Sequence, residues 1–546
     1  RGTELHKTAD IDWISRIEWD VIWRGMTSKY PESYQQATVK RLDGSAMEIS
    51  WFPGHYFFST HESLFQEYVR WQIQDVAFYR DATDPETIDG LLFDSQHSTP
   101  AQYYSGGDFS NGCMENFSTW LATHYSVGEL SALAIPDIST FHYGNYLIAA
   151  GYTVERYESE VKTSSNQIPL AEIFKHFLHD WNNNYLADLV KFSDDIAQEQ
   201  GYPYQEGLGY IPVGTSSPIL DPFWQGLRFP ANDVFDFYVQ EFDHQANKNQ
   251  PNADVMLLYK LAESLNKPLM LTGQPYPDWN FMVDNPAAVD LPRSWIAQAY
   301  ANGAVFMAPE HMWAYKGVVQ RYYQPRLGDF DYIFSWIAEN SYLFDGYQTV
   351  AKVGLVYSHK AYRQSEYQQL DVISAAAELM EKNIPFKLLV AGDTWWPKYL
   401  TDVDQANAIN DYEVIVTTPF NGVSLNLPQQ NILNDVANKV VVWPDIESIS
   451  SILPSQISID ANNVALFPRR NNTHLHTNAP KIVHLVNRDY DKSTQSMTRK
   501  EQLTLTIANE LFSEKIVGAR YNQAGHPPVE VTVQIEHGSI SVTLPN

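Results

Sequence analysis

Acidic side chains that directly end apolar runs are the groups in this chain best suited to chemistry. In IDGLLFDSQHS a turn at Asp89-Gly90 leads into an apolar run that stops at Asp94, followed by Ser95, Gln96 and His97. In VFDFYVQEFDH an aromatic run is interrupted by Asp236 and ends at Glu241, with Asp243 and His244 behind it. In GAVFMAPEHMW the run turns at Pro309 into Glu310, His311 and Trp313. A carboxylate at the mouth of a buried strand has a shifted pKa and meets whatever occupies the mouth. Each has a plainer reading as well: Asp94 as a helix cap, Glu241 as half of an ion pair, Glu310 as a rim residue.

Two carboxylates across a pocket are the apparatus of glycosidic-bond hydrolysis, one as acid/base and the other as nucleophile or water-activating base. Asp94, Glu241 and Glu310 are the catalytic candidates. Trp23, Tyr104, Trp224, Trp279 and Trp313 fall in or beside the segments after the runs, where amphipathic rings stack on sugar faces. One at a time they read as packing; together, with His97, Asp243 and His311 as hydroxyl partners, they read as a carbohydrate cleft. For a sulfated or uronic sugar, Arg24, Arg228 and His97 are candidate anion contacts, with structural ion pairing as the plainer reading of the two arginines. Other chemistries have weaker support. There is no HExxH or GxSxG motif, and the single cysteine, Cys113, reads as a buried thiol rather than a nucleophile. His97, His244 and His311 are too scattered to predict a metal site by spacing, although with Asp94 they could meet in space. No metal and no cofactor is expected.

Side chains at strand ends need a scaffold whose strands all point one way. Over the first 350 or so residues, apolar runs alternate with amphipathic helical stretches, the pattern of parallel strands with crossover helices. The strand candidates are Ile17 to Trp23, Glu48 to Phe52, Gly90 to Asp94, Tyr210 to Gly214, Val234 to Glu241, Pro268 to Gly273 and Ala304 to Pro309. Helices are expected over Leu64 to Tyr79, Asn116 to Tyr125, Ala171 to Gln200, Ala253 to Leu265 and Arg293 to Ala301. An (β/α)8 TIM barrel over 1–348 explains this best, with one strand missing from the pattern. After Tyr347, VAKVGLVYS, SAAAELMEKN, IPFKLLVAGD and YEVIVTTP predict a second, parallel-sheet α/β domain over 349–475, without a GxGxxG or Walker sequence. From there to the end, IVHLVNRDYD, LTLTIANEL, VEVTVQIEHG and SISVTLP alternate with period two and predict a small β-sandwich over 476–546.

With 44% hydrophobic and 14% aromatic residues, the 546-residue chain can bury large cores. Its formal charge of −28, from 37 Lys+Arg against 65 Asp+Glu, argues against nucleic acid or an anionic membrane as partner. No apolar run approaches the ~20 residues of a membrane span. The acidity suits a saline or extracellular setting, so a periplasmic or secreted location is favoured over the cytoplasm.

The order of segments resembles glycoside hydrolase family 42 β-galactosidases. DGLLFDSQ followed by GGDFSNGCMENFSTWLATHY is similar to that family's fourth strand and following helix. VGLVYS with NIPFKLLVAGD resembles the start of its flavodoxin-like trimerisation domain, and IVHLVNRDYD the first strand of its last domain. The resemblance implies a (β/α) barrel, a flavodoxin-like α/β domain and a C-terminal β-sandwich, with a homo-oligomer through the middle domain. Where the family has Asn-Glu, this chain has Asp94-Ser95, and PLMLTGQ lacks the family's nucleophilic glutamate. The pattern Asp-Gly, apolar run, Asp also resembles dextranases and the α-galactosidase clan, whose strand-four aspartate is the nucleophile. That resemblance implies Asp94 as nucleophile and Glu241 as acid/base, with reversed roles left open. Retention is the expected outcome, on a poly- or oligosaccharide for which a marine galactan is one candidate. A non-catalytic carbohydrate-binding protein on a degenerate barrel is the competing expectation.

Overall fold

The computed structural model describes residues 14–18, 22–49, 53–80, 88–94, 107–215, 235–242, 255–273, 285–307, 326–358, 360–361, 366–392, 400, 403–419, 425–471, 479–491, 493–512, 516–536 and 538–545. The chain divides into two units, Arg1–Val239 with Tyr362–Glu366, and Gln240–Ala361 with Tyr367–Asn546.

In the first unit, strands β1 (Ile14–Glu18), β2 (Gly90–Asp94), β3 (Val213–Thr215) and the start of β4 (Phe237–Phe242) pair in chain order, all parallel. Leu91, Leu92 and Phe93 are all buried, as expected where a parallel sheet is covered on both faces. Along β4 too, Tyr238 and Val239, on opposite faces, are both buried. The apolar run Ile17 to Trp23 is not one strand. β1 ends at Glu18 and helix α1 (Ile22–Lys29) carries Trp23, with Met26 fully buried. Ile22 and Met26 have the i, i+4 spacing of a helix, and a short apolar run does not distinguish the two periods.

Glu48 to Phe52 is corrected too, because the described part makes local antiparallel contacts instead of a parallel strand. Met47 N–H donates to Val39 O, Phe57 N–H to Met47 O and Ile49 N–H to His55 O, at 2.8–3.1 Å. Helix α2 (Ser63–Trp71) continues into a π-helical stretch, Gln72–Arg80.

Between β2 and β3 the chain inserts a helical block that includes α3 (Asn111–His124), α4 (Val127–Ala132), α5 (Tyr143–Ala149), α6 (Val154–Thr163) and the long α7 (Ala171–Glu199). Its core is aromatic: Phe117 contacts Phe174 and Phe177 with ring centroids 4.9 and 5.1 Å apart. A fully buried Asp108 starts the block, accepting from Lys40 N–H (3.0 Å), Ser110 N–H (2.8 Å) and Ser110 Oγ (2.8 Å). Ser110 in turn caps α3 by accepting from Cys113 N–H at 3.4 Å.

The second unit contains α8 (Val255–Leu265), strands β5 (Leu269–Gly273) and β6 (Val305–Met307), paired parallel, and the intervening α9 (Asp290–Ala301). A short strand, β7 (Tyr347–Thr349), is followed by β8 (Val353–Ser358), β9 (Phe386–Ala391), β10 (Val414–Thr417) and β11 (Val440–Val442). These last four form a sheet in the order β9-β8-β10-β11, every pair parallel. An antiparallel sheet follows, in the order β12 (Ile457–Ile459), β15 (Thr504–Ala508), β17 (Ser539–Thr543), β16 (Val533–Glu536). Its core takes in Leu505, Ile507, Ile540 and Val542 together with Val464 and Leu466 of β13 (Val464–Asn471).

β13 pairs antiparallel with both β7 and β14 (Ile482–Asn487) and carries Arg469 into a buried charge cluster on α8. There Lys260 Nζ donates to Thr349 Oγ1 at 2.6 Å, and Thr349 Oγ1 donates to Glu263 Oε2 at 2.8 Å. Arg469 lies 3.7 Å from Glu263 and donates to Ala301 O (3.1 Å) and Tyr347 O. Gly303 turns beside it with φ +79°, and a Cβ there would stand 2.7 Å from the guanidinium. Burial lowers the Lys260 ammonium to about 8 even with Glu263 beside it. For Glu263, burial pushes upward, but Lys260, Arg469 and the hydrogen bonds from Thr349 together outweigh it and hold the carboxyl below its usual range.

Candidate active site

The site is built from strand ends. On β2 the turn before Gly90 releases the chain into Leu91, whose N–H donates to Pro212 O at 2.9 Å. Two residues on, Phe93 lies edge-on to Phe235 with centroids 6.3 Å apart. The residue immediately before Asp94 is thus locked into a fully buried aromatic layer.

On the other side, β3 and β4 are clamped reciprocally. Asp236 N–H donates to Val213 O and the Asp236 carboxylate accepts from Val213 N–H, each at 2.8 Å. The clamp sets the pairs Gly214↔Phe237 and Thr215↔Tyr238. Gly214 is required there, because a Cβ would meet the Phe237 ring at 2.2 Å. Asp236, the acid inside the aromatic run, is therefore a structural residue.

The structure puts Asp94 at the last position of β2 and Glu241 at the penultimate position of β4. Trp23 is in the second position of α1, the element after β1, instead of at a strand end. His97, Tyr104, Trp224, Asp243, Trp279, Glu310, His311 and Trp313 lie outside the described residues, as do His244 and Arg228.

One acid was not singled out from the sequence. Glu18 is the last residue of β1 and the register partner of Asp94. Reading the strand as Ile17 to Trp23 puts this acid at the second position of the run instead of at its end.

The other polar groups of the first unit belong to the scaffold. Cys113 is fully buried, and burial together with Asp108 and Glu62 pushes its thiol well up, away from nucleophilic chemistry. His61 stacks on Trp181 at 4.3 Å, and burial lowers it to about 3, so it remains neutral. Among the described residues, no group of three or more His, Cys, Asp and Glu side chains is arranged to hold a metal ion. No described helix is long and apolar enough to cross a membrane.

No protein-family model matches the chain. It is 29% identical over 532 residues to an α-agarase of Thalassotalea agarivorans, covering 93% of this chain and 33% of that protein. It is 28% identical over 508 residues to an α-agarase of Alteromonas agarilytica, covering 88% and 32%. The chain therefore spans about a third of the length of these curated relatives. Among solved structures, α-L-fucosidase isoenzyme 2 from Paenibacillus thiaminolyticus superposes with a TM-score of 0.56 at 10% identity, covering 99% of this chain and 87% of that one. A GH42 exo-carrageenase from Bacteroides ovatus superposes with a TM-score of 0.51 at 10% identity, covering 98% and 75%. The resemblance to glycoside hydrolases, and to family 42 among them, thus extends from the quoted motifs to the fold of nearly the whole chain.

Proposed function

We propose that this chain is the glycosidase part of a polysaccharide-cleaving enzyme acting on a galactan of the agarose type. The observation that carries the reading is a set of parallel strands paired in chain order, of which β1 and β2 end in Glu18 and Asp94 and β4 carries Glu241 at its penultimate position, in a chain related over 93% of its length to an α-agarase. We read the scaffold as a (β/α)8 barrel over 1–348, a flavodoxin-like domain over 349–475 and a β-sandwich over 476–546. Parallel strands with helices between them support the barrel. The order β9-β8-β10-β11 supports the flavodoxin-like domain, being the 2-1-3-4 order of that doubly wound type. The middle domain is the proposed surface for a homo-oligomer.

In the proposed mechanism the Asp94 carboxylate attacks the anomeric carbon while Glu241 protonates the departing glycosidic oxygen. Water then releases the glycosyl ester with Glu241 acting as base, giving retention. Glu310 stands in reserve as a third carboxylate of the mouth, and Trp23, His97, Tyr104, Trp224, Asp243, Trp279, His311 and Trp313 are the proposed sugar contacts. A substrate too large to cross a membrane places the working enzyme in the periplasm or outside the cell.

The test is release of reducing ends from agarose, carrageenan and a panel of plant polysaccharides by wild type, Asp94→Asn and Glu241→Gln, with the first-formed anomer read by NMR. Activity on agarose that falls at least 100-fold in both variants, with the anomer retained, supports the reading. Binding without turnover on every substrate overturns it in favour of a carbohydrate-binding barrel.

A further inference from the structure

β1 and β2 pair in parallel over five residues, from Ile14↔Gly90 to Glu18↔Asp94. Each of the two acids is the last residue of its strand. Paired backbones in a sheet lie about 4.8 Å apart, so the acids occupy neighbouring places on one edge. That is the edge at which a parallel (β/α) scaffold holds its substrate.

The layer below it is apolar, with Leu91, Leu92 and Phe93 buried, so an acid one position earlier would have had to enter the core. Helix α1 starts at Ile22, four residues after Glu18.

From this juxtaposition we infer that Glu18 is a substrate-holding residue, its carboxylate accepting hydrogen bonds from hydroxyls of the sugar ring whose anomeric carbon faces Asp94. The inference rests on the glycosidase reading and deepens it. An ionised carboxylate offers two acceptor oxygens, which suits a vicinal pair of sugar hydroxyls. A ring that gains positive charge toward the oxocarbenium-like transition state makes its hydroxyls better donors, so these bonds tighten as the reaction proceeds. Glu18 then contributes more to the transition state than to the bound ground state, and its loss is felt in kcat as well as KM.

The experiment uses agarose-derived oligosaccharides with wild type, Glu18→Gln, Glu18→Ala and Glu18→Asp. The expected result is a kcat/KM lowered about 10- to 100-fold in Glu18→Gln, further in Glu18→Ala and partly restored in Glu18→Asp, with the thermal transition unmoved. Calorimetry in an Asp94→Asn background, with and without Glu18→Ala, is expected to show about tenfold weaker binding of the same oligosaccharides. Unchanged kcat/KM in both Glu18→Gln and Glu18→Ala, beside an active wild type, overturns the role of Glu18 alone. So does a loss of activity matched by a lowered transition temperature. If wild type hydrolyses nothing, the glycosidase reading falls, and equal affinity in the two Asp94→Asn backgrounds overturns the inference on its own.

Discussion

Replacing Glu263 by glutamine should destabilise the second unit more than any surface change. The substitution keeps the side-chain volume and removes an anion that Lys260 and Arg469 share, at 3.5 and 3.7 Å. Both cations are 4% exposed, so neither turns to water without local opening. Removing one partner of a buried ion pair costs about 3–5 kcal/mol. Lys260 relieves part of that by deprotonating: with its ammonium already near 8, neutralising it at pH 7 costs about 1.4 kcal/mol or less. Arg469 has no such escape and carries the remainder.

For a unit of roughly 300 residues, unfolding entropy of ~2.1 cal/mol/K per residue converts the loss into a transition about 5–8 °C lower. The sign with pH follows from Lys260. Its folded pKa lies below its unfolded one, so stability of the wild type rises as pH climbs from about 8 toward the unfolded value. In Glu263→Gln the folded pKa is lower still, and the rise begins earlier. The gap between variant and wild type should therefore narrow as pH approaches 8 and stay level above it. Scanning calorimetry of the full chain between pH 6 and 9 reads both effects. A shift under about 1 °C, or a gap that does not change between pH 6 and 8, would refute this account of the cluster.

Other outcomes follow from the strand ends. Asp236→Ala leaves Val213 N–H without its side-chain acceptor, which should cost about 1–3 kcal/mol and appear as faster amide exchange at Val213. Gly214→Ala forces a methyl toward the Phe237 ring and is expected to lower activity and stability together, by about 1–3 kcal/mol in a denaturant titration; unchanged stability would mean β3 and β4 are not held as described. Cys113, buried with a raised thiol pKa, should resist a thiol reagent at pH 8 in the native protein and react stoichiometrically on unfolding.

Much of this protein was legible in the chain because its parallel strands are buried on both faces and write themselves as apolar runs. GLLFD, FYVQEF, LMLTG and VGLVYS appear as strands whose ends lie within three residues of where the sequence puts them. The alternating C-terminal segments pair antiparallel, as period two demands. Asp94 and Glu241 were legible as acids that end such runs. Glu18 was not, because a seven-residue run holding both a strand end and a helix start carries no mark of where one period yields to the other.

Tertiary structure alone decided which polar groups belong to the scaffold. Asp236 and Asp94 look alike in sequence, each an acid next to phenylalanines, yet Asp236 is committed to the N–H of Val213, 23 residues away. Glu263 reads as an ordinary helix acid until Arg469, more than 200 residues later, arrives beside it. A strand's apolar pattern is written locally because burial acts on each residue in turn. The partner of a buried charge is chosen by the fold, since only the folded chain removes the water that would otherwise solvate it.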